Sequence, residues 1–295
     1  MKKKSVFIVL GVLFGFNILA WVAVYDLSRA QLLEVVFFDV GQGDAILIET
    51  PQRQQILIDG GPSSAILEKL GDEMPFWDRM IDLIILTHPE HDHIAGLIEV
   101  LKKYQVENIL WTGVLRDTTE FKEWQGLIQE EEAEIHIARA GQQIVWDATP
   151  NNQGSHPRRL EILYPFESLE GRVAENINNT SIIARLVYGE NSFLLTGDAY
   201  KAVEKELIEK EIEIVSDVLK VAHHGSKTSS AEEFIKEVSP EIAIISAGQD
   251  NSYGHPHQEV LETLEKYGIT ILRTDKDGDI KIISDGEDYV SNIQN

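Results

Sequence analysis

His88, Glu90, His91, Asp92 and His93 occupy five of six consecutive positions in the segment THPEHDHIAG, directly after the apolar run Asp82–Thr87. Imidazole and carboxylate are the side chains that suit hard-to-borderline divalent cations, and a loop leaving a strand can aim several of them into one crevice. Two further segments have the same form. In SFLLTGDAY an apolar strand ends at Thr196 and Gly197 and delivers Asp198, which alone would be an ordinary turn residue. In VLKVAHHGSKTSS a strand ends in His223 and His224, with Ser226, Lys227, Thr228 and Ser229 behind them. Adjacent residues of an extended chain diverge, so one of the two histidines is expected to ligate and the other to face substrate or a supporting group. One ion needs three or four protein ligands, and this inventory exceeds that number. Two cations bridged by Asp198, with water as the attacking group, are the simplest arrangement.

Other polar residues could serve such a centre. His255 in NSYGHPH, flanked by Tyr253 and His257, is a candidate proton donor to a leaving group or a phosphate contact, with a plain helix lead-in as the alternative. Asp92 can both ligate and orient the attacking water. Ser226, Lys227 and Ser229 could bind phosphate oxygens, as could Tyr253 beside His255; the SKTSS run could equally be a helix cap. Asp39, Gln42 and Asp44 of DVGQGD lie in a tight loop with reach to the site, while Gly41 and Gly43 serve the turn.

These groups must be carried by strand ends. LLEVVFFDV, AILIET and QILIDGG read as three consecutive strands, followed by a helix over Pro62–Leu70. Strand DLIILT, helix Ile94–Tyr104, strand VENILWTG, an acidic amphipathic helix from Asp117 to about Glu132 and strand EIHIA follow. The middle is free of helix: QQIVW, RLEILYP, SIIARLVYG and SFLLTGD succeed one another, separated by polar loops over Asp147–Arg158 and Glu167–Thr180. Helix and strand then alternate through DVLKVAHH, EIAIISAG, ITILRT and DIKIISDG. Helix-linked segments on both sides of a helix-free middle predict an α/β chain with two mixed sheets and helices outside both.

The 295 residues are 43% hydrophobic and 25% charged, which excludes collagen-like, mucin-like and largely disordered chains. The absence of cysteine removes disulfides, iron–sulfur clusters and thiol nucleophiles together. A formal charge of −23 disfavours passive coating of nucleic acid. Lys2, Lys3 and Lys4 precede an uncharged run from Ser5 to Tyr25, long enough as a helix for a hydrocarbon core that needs roughly 20 residues. The lysines are expected to stay in the cytoplasm, which makes residues 1–30 an uncleaved single-pass anchor with a short linker and places 31–295 on the extracytoplasmic side of the cell membrane.

The ordered series FDVGQGDAILIETP, ILIDGGP, THPEHDHIAGL, LLTGD, LKVAHHGSKTSS and NSYGHPH resembles the metallo-β-lactamase fold hydrolases, and most of all the hydrolase domain of ComEC-type DNA-uptake competence proteins. The resemblance runs from about Glu34 to Gly286. It implies a four-layer αββα sandwich with a dinuclear site at one edge. Onto matching positions it carries His88, Glu90, Asp92 and His93 as the signature loop, Asp198 as the bridge, His224 ahead of His223 as the last ligand, and Asp59 as a structural acid. It implies a metal-dependent hydrolase of phosphodiesters, with single-stranded DNA as the leading substrate, two ions (Mn or Zn), and a separate DNA-uptake channel protein as a partner. A smaller or cell-surface phosphodiester and a non-catalytic metal-binding module are the alternatives. The chain departs from the fold relatives' HxHxDH loop, since Glu90 stands at the second histidine position. That extra carboxylate hardens the site toward Mn²⁺. A ligand histidine expected near Ser181 is also missing, with Asn178 and Asn179 nearby.

Overall fold

Every second residue of the first strand faces a different core: Val35 and Phe37 pack between two sheets, while Val36 lies against helices on the outer face. This two-residue alternation, repeated along most strands, is what layers the protein. The computed structural model describes residues 3–27, 32–146 and 158–294, and it divides into two units, 1–31 and 32–295.

In chain order the second unit contains β1 (Leu33–Phe37), β2 (Ile46–Glu49), β3 (Gln55–Ile58), β4 (Met80–Leu86), β5 (Gln105–Trp111), β6 (Glu134–Ile137), β7 (Gln143–Val145), β8 (Arg158–Tyr164), β9 (Ile183–Tyr188), β10 (Asn191–Leu195), β11 (Val218–Lys220), β12 (Ile242–Ile245), β13 (Thr270–Arg273), β14 (Asp279–Ser284) and β15 (Tyr289–Gln294). One sheet has eight strands in the order β15-β14-β1-β2-β3-β4-β5-β6, and the other seven in the order β13-β12-β11-β10-β9-β8-β7. Strands β3 to β6 run parallel, as do β10 to β13, whereas the hairpin-linked strands are antiparallel. A helix, denoted α1 (Lys3–Leu27), makes up most of the first unit. The helices α2 (Ala65–Glu73), α3 (His91–Leu101) and α4 (Thr119–Glu130) bury Ile66, Leu70, Leu97, Phe121 and Trp124 against the outer face of the eight-stranded sheet. Helices α5 (Lys201–Glu209), α6 (Glu232–Val238) and α7 (Gln258–Lys266) cover the seven-stranded one through Val203, Leu207, Phe234 and Leu264. Between the sheets lies a third apolar layer that includes Phe37, Ile85, Leu186 and Phe193. The mixed α/β architecture is thus two sheets with helices outside both.

Several boundaries differ from the sequence reading for physical reasons. Helix α3 starts at His91 rather than Ile94, so Asp92 and His93 sit in a helical first turn and not in an extended loop. Strand β15 was not expected, because its mixed polar composition suits an edge strand with no sequence signal of burial. The expected loop over Asp147–Arg158 falls, except for Arg158, outside the described residues. In α1 the side chains of Phe7, Leu13, Phe14, Phe16 and Trp21 are more than half exposed. Among the described residues no helix is long and apolar enough to cross a membrane, so the span expected over Ser5–Tyr25 is not established by the structure.

The contact that most directly positions the site is between backbones. Gly60 N donates to His93 O at 2.9 Å, and Gly96 N donates to Gly61 O at 2.9 Å, locking the start of α3 to the turn after β3. A Cβ on Gly96 would collide with the Gly60 carbonyl. In an exposed helix interior Gly→Ala stabilises by about 1 kcal/mol. Here Gly96→Ala is expected to destabilise instead, by about 1–3 kcal/mol, as read from chemical denaturation midpoints.

Candidate metal centre

The strands deliver their polar residues to one edge of the sandwich. Asp59 follows β3, Thr87 and His88 follow β4, Asp198 follows β10, and His223 and His224 follow β11. These are carboxyl ends of parallel strands, where open sheets collect their ligand-binding groups. Asp44 enters from the amino end of β2, whose antiparallel direction brings that end to the same edge.

Oxygen Oδ2 of Asp198 is the focus. It lies 3.4 Å from His93 Nε2, 3.5 Å from His224 Nε2, 3.8 Å from His223 Nε2 and 4.0 Å from His88 Nε2. Asp92 Oδ2 stands 3.2 Å from His224 Nε2. Donor atoms of Asp92, His93, Asp198 and His224 all lie within 4.8 Å of one another. Among the described residues, His93 Nε2, His88 Nε2 and Asp198 Oδ1 are buried without a hydrogen-bond partner. Buried polar atoms left unpaired are costly, and three of them around one point fit a divalent cation.

Each imidazole is oriented from behind. His93 Nδ1 is 2.7 Å from Asp59 Oδ2, and that carboxylate also accepts from Thr87 N at 2.8 Å and Thr87 Oγ1 at 2.6 Å. His224 Nδ1 donates to Ser246 O at 2.9 Å and lies 3.4 Å from Asp44 Oδ1. These outer partners leave the Nε2 lone pairs directed at the centre, as in carboxylate–histidine–metal arrangements. His223 and His224 both adopt left-handed backbone conformations, with φ of 50° and 56°. The expectation that an extended chain would point them apart therefore fails: the turn brings both rings to Asp198. His223 is held laterally, with Nδ1 2.9 Å from Thr228 Oγ1 and its ring stacked on Tyr200 at 5.1 Å.

Protonation follows from burial and neighbours. Burial pushes His88 down to about 3, so it is a neutral lone-pair donor. Burial also acts to lower His93 and His224, but the Asp198 carboxylate, helped by Asp59 for His93 and by Asp44 for His224, more than reverses this and holds both well above the ordinary 6.5. Asp198 is subject to burial that would raise it, yet His224 and His93 hold it well below the usual carboxylate range. His255 lies among His223, His224, Tyr253 and His257, and burial with the neighbouring imidazoles depresses it to about 4. A neutral His255 can donate one hydrogen bond but is a poor reservoir for a leaving-group proton.

The other expected residues fall as follows. Glu90 Oε1 pairs with Arg116 Nη1 rather than joining the donor cluster. His91 is exposed beside Glu120, because a helical first turn rotates it away from His93. Ser226 is buried and bonded to Thr228 Oγ1 at 2.9 Å, and Ser229 is fully buried, so the turn directs both hydroxyls inward. Lys227 is exposed, with its backbone N–H donating to His257 Nδ1 at 3.3 Å. Tyr253 is exposed and stacks on His255 at 5.7 Å.

Lys220 escaped the sequence reading. Its side chain is completely buried, and Nζ donates to Asp44 Oδ2 at 2.7 Å and to Val221 O at 3.1 Å. Burial would raise the Asp44 carboxyl, but the Lys220 ammonium and His224 bring it down to about 2. The available signal was a lone cation inside the apolar strand VLKVA.

Residues 38–249 match the metallo-beta-lactamase superfamily, and the chain belongs to it. It is 35% identical over 266 residues to ComE operon protein 3 of Bacillus subtilis (strain 168), covering 84% of this chain and 32% of that protein. It is 31% identical over 247 residues to competence protein ComA of Neisseria gonorrhoeae, covering 83% of this chain and 31% of that protein. The chain thus spans about a third of the length of these ComEC-type competence relatives. A solved metal-dependent hydrolase of the beta-lactamase superfamily overlaps 82% of this chain and 95% of its own with a TM-score of 0.47 and 11% identity.

Two outcomes follow. Lys220→Met leaves Asp44 as an uncompensated buried charge and is expected to cost about 3–5 kcal/mol in unfolding free energy; adding Asp44→Leu recovers most of that stability without restoring metal affinity. Proton linkage gives the second. Because the folded values of His93 and His224 are raised, their contribution is complete below the ordinary 6.5 and is lost as pH rises through the folded values. The melting temperature of the chelated protein should therefore fall as pH rises above 6.5, whereas affinity for a divalent ion, which displaces those protons, should rise over the same range.

Proposed function

We propose that this chain is a metal-dependent phosphodiesterase whose preferred substrate is single-stranded DNA. The observation that carries the reading is the convergence of half-buried Asp92 with buried His93, Asp198 and His224, beside unpaired His88 Nε2, His93 Nε2 and Asp198 Oδ1. Those four residues would hold the ion, Mn²⁺ or Zn²⁺. A bound divalent ion supplies Lewis acidity and lowers the pKa of water toward neutrality. A second ion would draw on His88, His223 and Asp198, with Glu90 held by Arg116.

The chain's own residues supply the rest. Asp59 and Ser246 fix the ring orientations of His93 and His224. Asp92, pulled to a low value by His93 and His224 against the upward push of burial, remains ionised at neutral pH and can accept a proton only transiently. The rings of Tyr200, His223, His255 and Tyr253 form a continuous wall beside the centre. Such faces stack nucleobases without reading sequence, which supports a single-stranded over a duplex substrate. The competence names of the relatives support the same assignment, and a separate DNA-uptake channel protein is the partner it implies. The uncharged run Ser5–Tyr25 behind three lysines supports a single-pass tether with the hydrolase unit outside the cytoplasm. The charge of −23 favours a second reading, a small or cell-surface phosphodiester.

The full chain in detergent should hydrolyse bis(p-nitrophenyl) phosphate and single-stranded oligonucleotides with Mn²⁺, lose both activities on chelation, and leave a β-lactam intact. Asp198→Ala should reduce turnover to the chelated level while retaining its circular dichroism spectrum. Rates on oligonucleotides no better than on the small ester would transfer the assignment to the small substrate. Absence of any phosphodiester turnover would end both.

A further inference from the structure

Strand β4 joins two unlike edges of the hydrolase unit. Thr87 and His88 follow it toward the metal centre, and the turn Pro75–Asp78 precedes it at the opposite edge. Its seven residues span about 23 Å at the usual rise of a strand. Asp78 N donates to Pro75 O at 2.8 Å, which closes a four-residue turn with Phe76 and Trp77 at its centre. Turn tips ordinarily carry glycine, asparagine, aspartate or serine. Here the tip carries two aromatic rings that are 80% and 73% exposed, with Met80 beside them at 41%. The two rings meet edge to face, 4.8 Å between centroids. The base of the turn is fixed: Asp78 Oδ1 accepts from Met80 N at 3.1 Å, Asp78 Oδ2 accepts from Gln55 Nε2 at 3.3 Å, and Arg79 Nη1 donates to Tyr104 Oη at 3.0 Å. A well-held turn therefore presents apolar rings to solvent.

The chain enters the hydrolase unit at this same edge. Pairs β1–β2 and β2–β3 are antiparallel and β3–β4 is parallel, so β1 runs parallel to β4 and begins on the side of the turn. Three strand spacings separate β1 from β4, about 14 Å. Five residues join Leu27, the end of α1, to Leu33, the start of β1, a reach of at most about 22 Å. The covalent connection from the uncharged run Ser5–Tyr25 thus arrives at the edge that carries the aromatic turn.

We infer that the Phe76–Trp77 turn is a membrane-contact surface: both rings insert into the interfacial layer of a zwitterionic phospholipid bilayer, and the metal centre at the opposite edge faces away from it. Aromatic rings, tryptophan above all, suit the headgroup layer, where an apolar body and a polar edge are both accommodated. Asp72 and Glu73 adjoin the turn and the whole chain carries −23, so an anionic surface would repel it. A protein partner or a second copy could cover the same rings, but neither is tied to the edge where the uncharged run arrives. The place of the bilayer rests on the single-pass tether of the proposed function; the contact itself needs only the turn, and the phosphodiesterase activity enters neither.

The sequence has no cysteine, so one labelled position can be introduced into the full chain. Trp77→Cys and Asp72→Cys, each carrying a nitrobenzoxadiazole fluorophore, are reconstituted with phosphatidylcholine vesicles containing or lacking a doxyl-labelled lipid. Both labels should lose at least half of their emission to the nitroxide, whereas a label at Lys227→Cys, on the exposed turn after β11, should keep nearly all of its emission. Adding Phe76→Ser and Trp77→Ser to Asp72→Cys should at least halve the quenching there. An unquenched label at position 77 in vesicle-bound protein overturns the inference, as does equal quenching at 77 and 227. A blue shift at 77 without nitroxide quenching also overturns it, because protein would then be covering the turn. Alkaline carbonate separates this contact from the tether. Chain that is quenched at 77 but stripped by carbonate keeps the contact and loses the tether; chain that resists carbonate but is unquenched at 77 keeps the tether and loses the contact.

Discussion

Burial of negative charge at the strand ends is the constraint around which the site is organised. Asp44, Asp59 and Asp198 are each at most 2% exposed, and two like charges 4 Å apart repel by about 4 kcal/mol even at an effective dielectric of 20. The fold answers with a separate compensation for each carboxylate. Asp44 takes the Lys220 ammonium, Asp59 takes two donors from Thr87 and the His93 ring, and Asp92 takes His224. Asp198 alone faces imidazole nitrogens from four histidines while its other oxygen is unpaired. Donor atoms of Asp92, His93, Asp198 and His224 could hold a cation there, and those of Asp44, Asp59 and His93 form a second such group.

That balance requires two sheets at a fixed separation. Lys220 is on β11 of one sheet and Asp44 precedes β2 of the other, so their ion pair crosses the sandwich at its edge. His224, after β11, is met across the same edge by Asp44 and by Asp92, both from the eight-stranded half. The backbone contact of Gly60 with α3 sets the height of His93 above Asp59, and no larger residue at Gly96 would permit it. Packing and electrostatics are thus coupled: a shift between the sheets would separate a buried charge from its partner and misplace two imidazoles together.

The candidate donors were legible because they are local. Five polar residues crowded after an apolar strand, and two more strand ends carrying Asp198 and His223–His224, announce a shared centre without any knowledge of the packing. The layering was legible from the alternation of strands and helices. What escaped is tertiary. Lys220 finds Asp44 across 176 residues of chain, and nothing in VLKVA identifies that partner. Glu90 has the spacing of a ligand, yet helix α3 begins one residue later, and the N-cap position sends its carboxylate to Arg116, a residue with no sequence signal of its own. Ser226 and Ser229 have the composition of a phosphate loop, but a turn buries their hydroxyls, and turn geometry is weakly encoded by serine alone.

The acidic character of the chain and the proposed anionic substrate are reconciled by distance. At physiological ionic strength the screening length is about 8 Å, so most of the formal charge of −23 is not felt at the rim of the centre. What the proposed phosphate group would encounter there is a local field: the neutral imidazoles of His88 and His255 and the cation that Asp92, His93, Asp198 and His224 would hold. The long-range repulsion governs how fast a polyanion approaches, whereas the rim governs whether it stays. A short single strand, with few phosphates beyond the screened region and bases free to lie on Tyr200, His223, His255 and Tyr253, meets the least of the first and the most of the second. A rigid duplex offers no unstacked base to that wall and presents twice the charge per length, so the same two terms that would favour the proposed single strand would work against it.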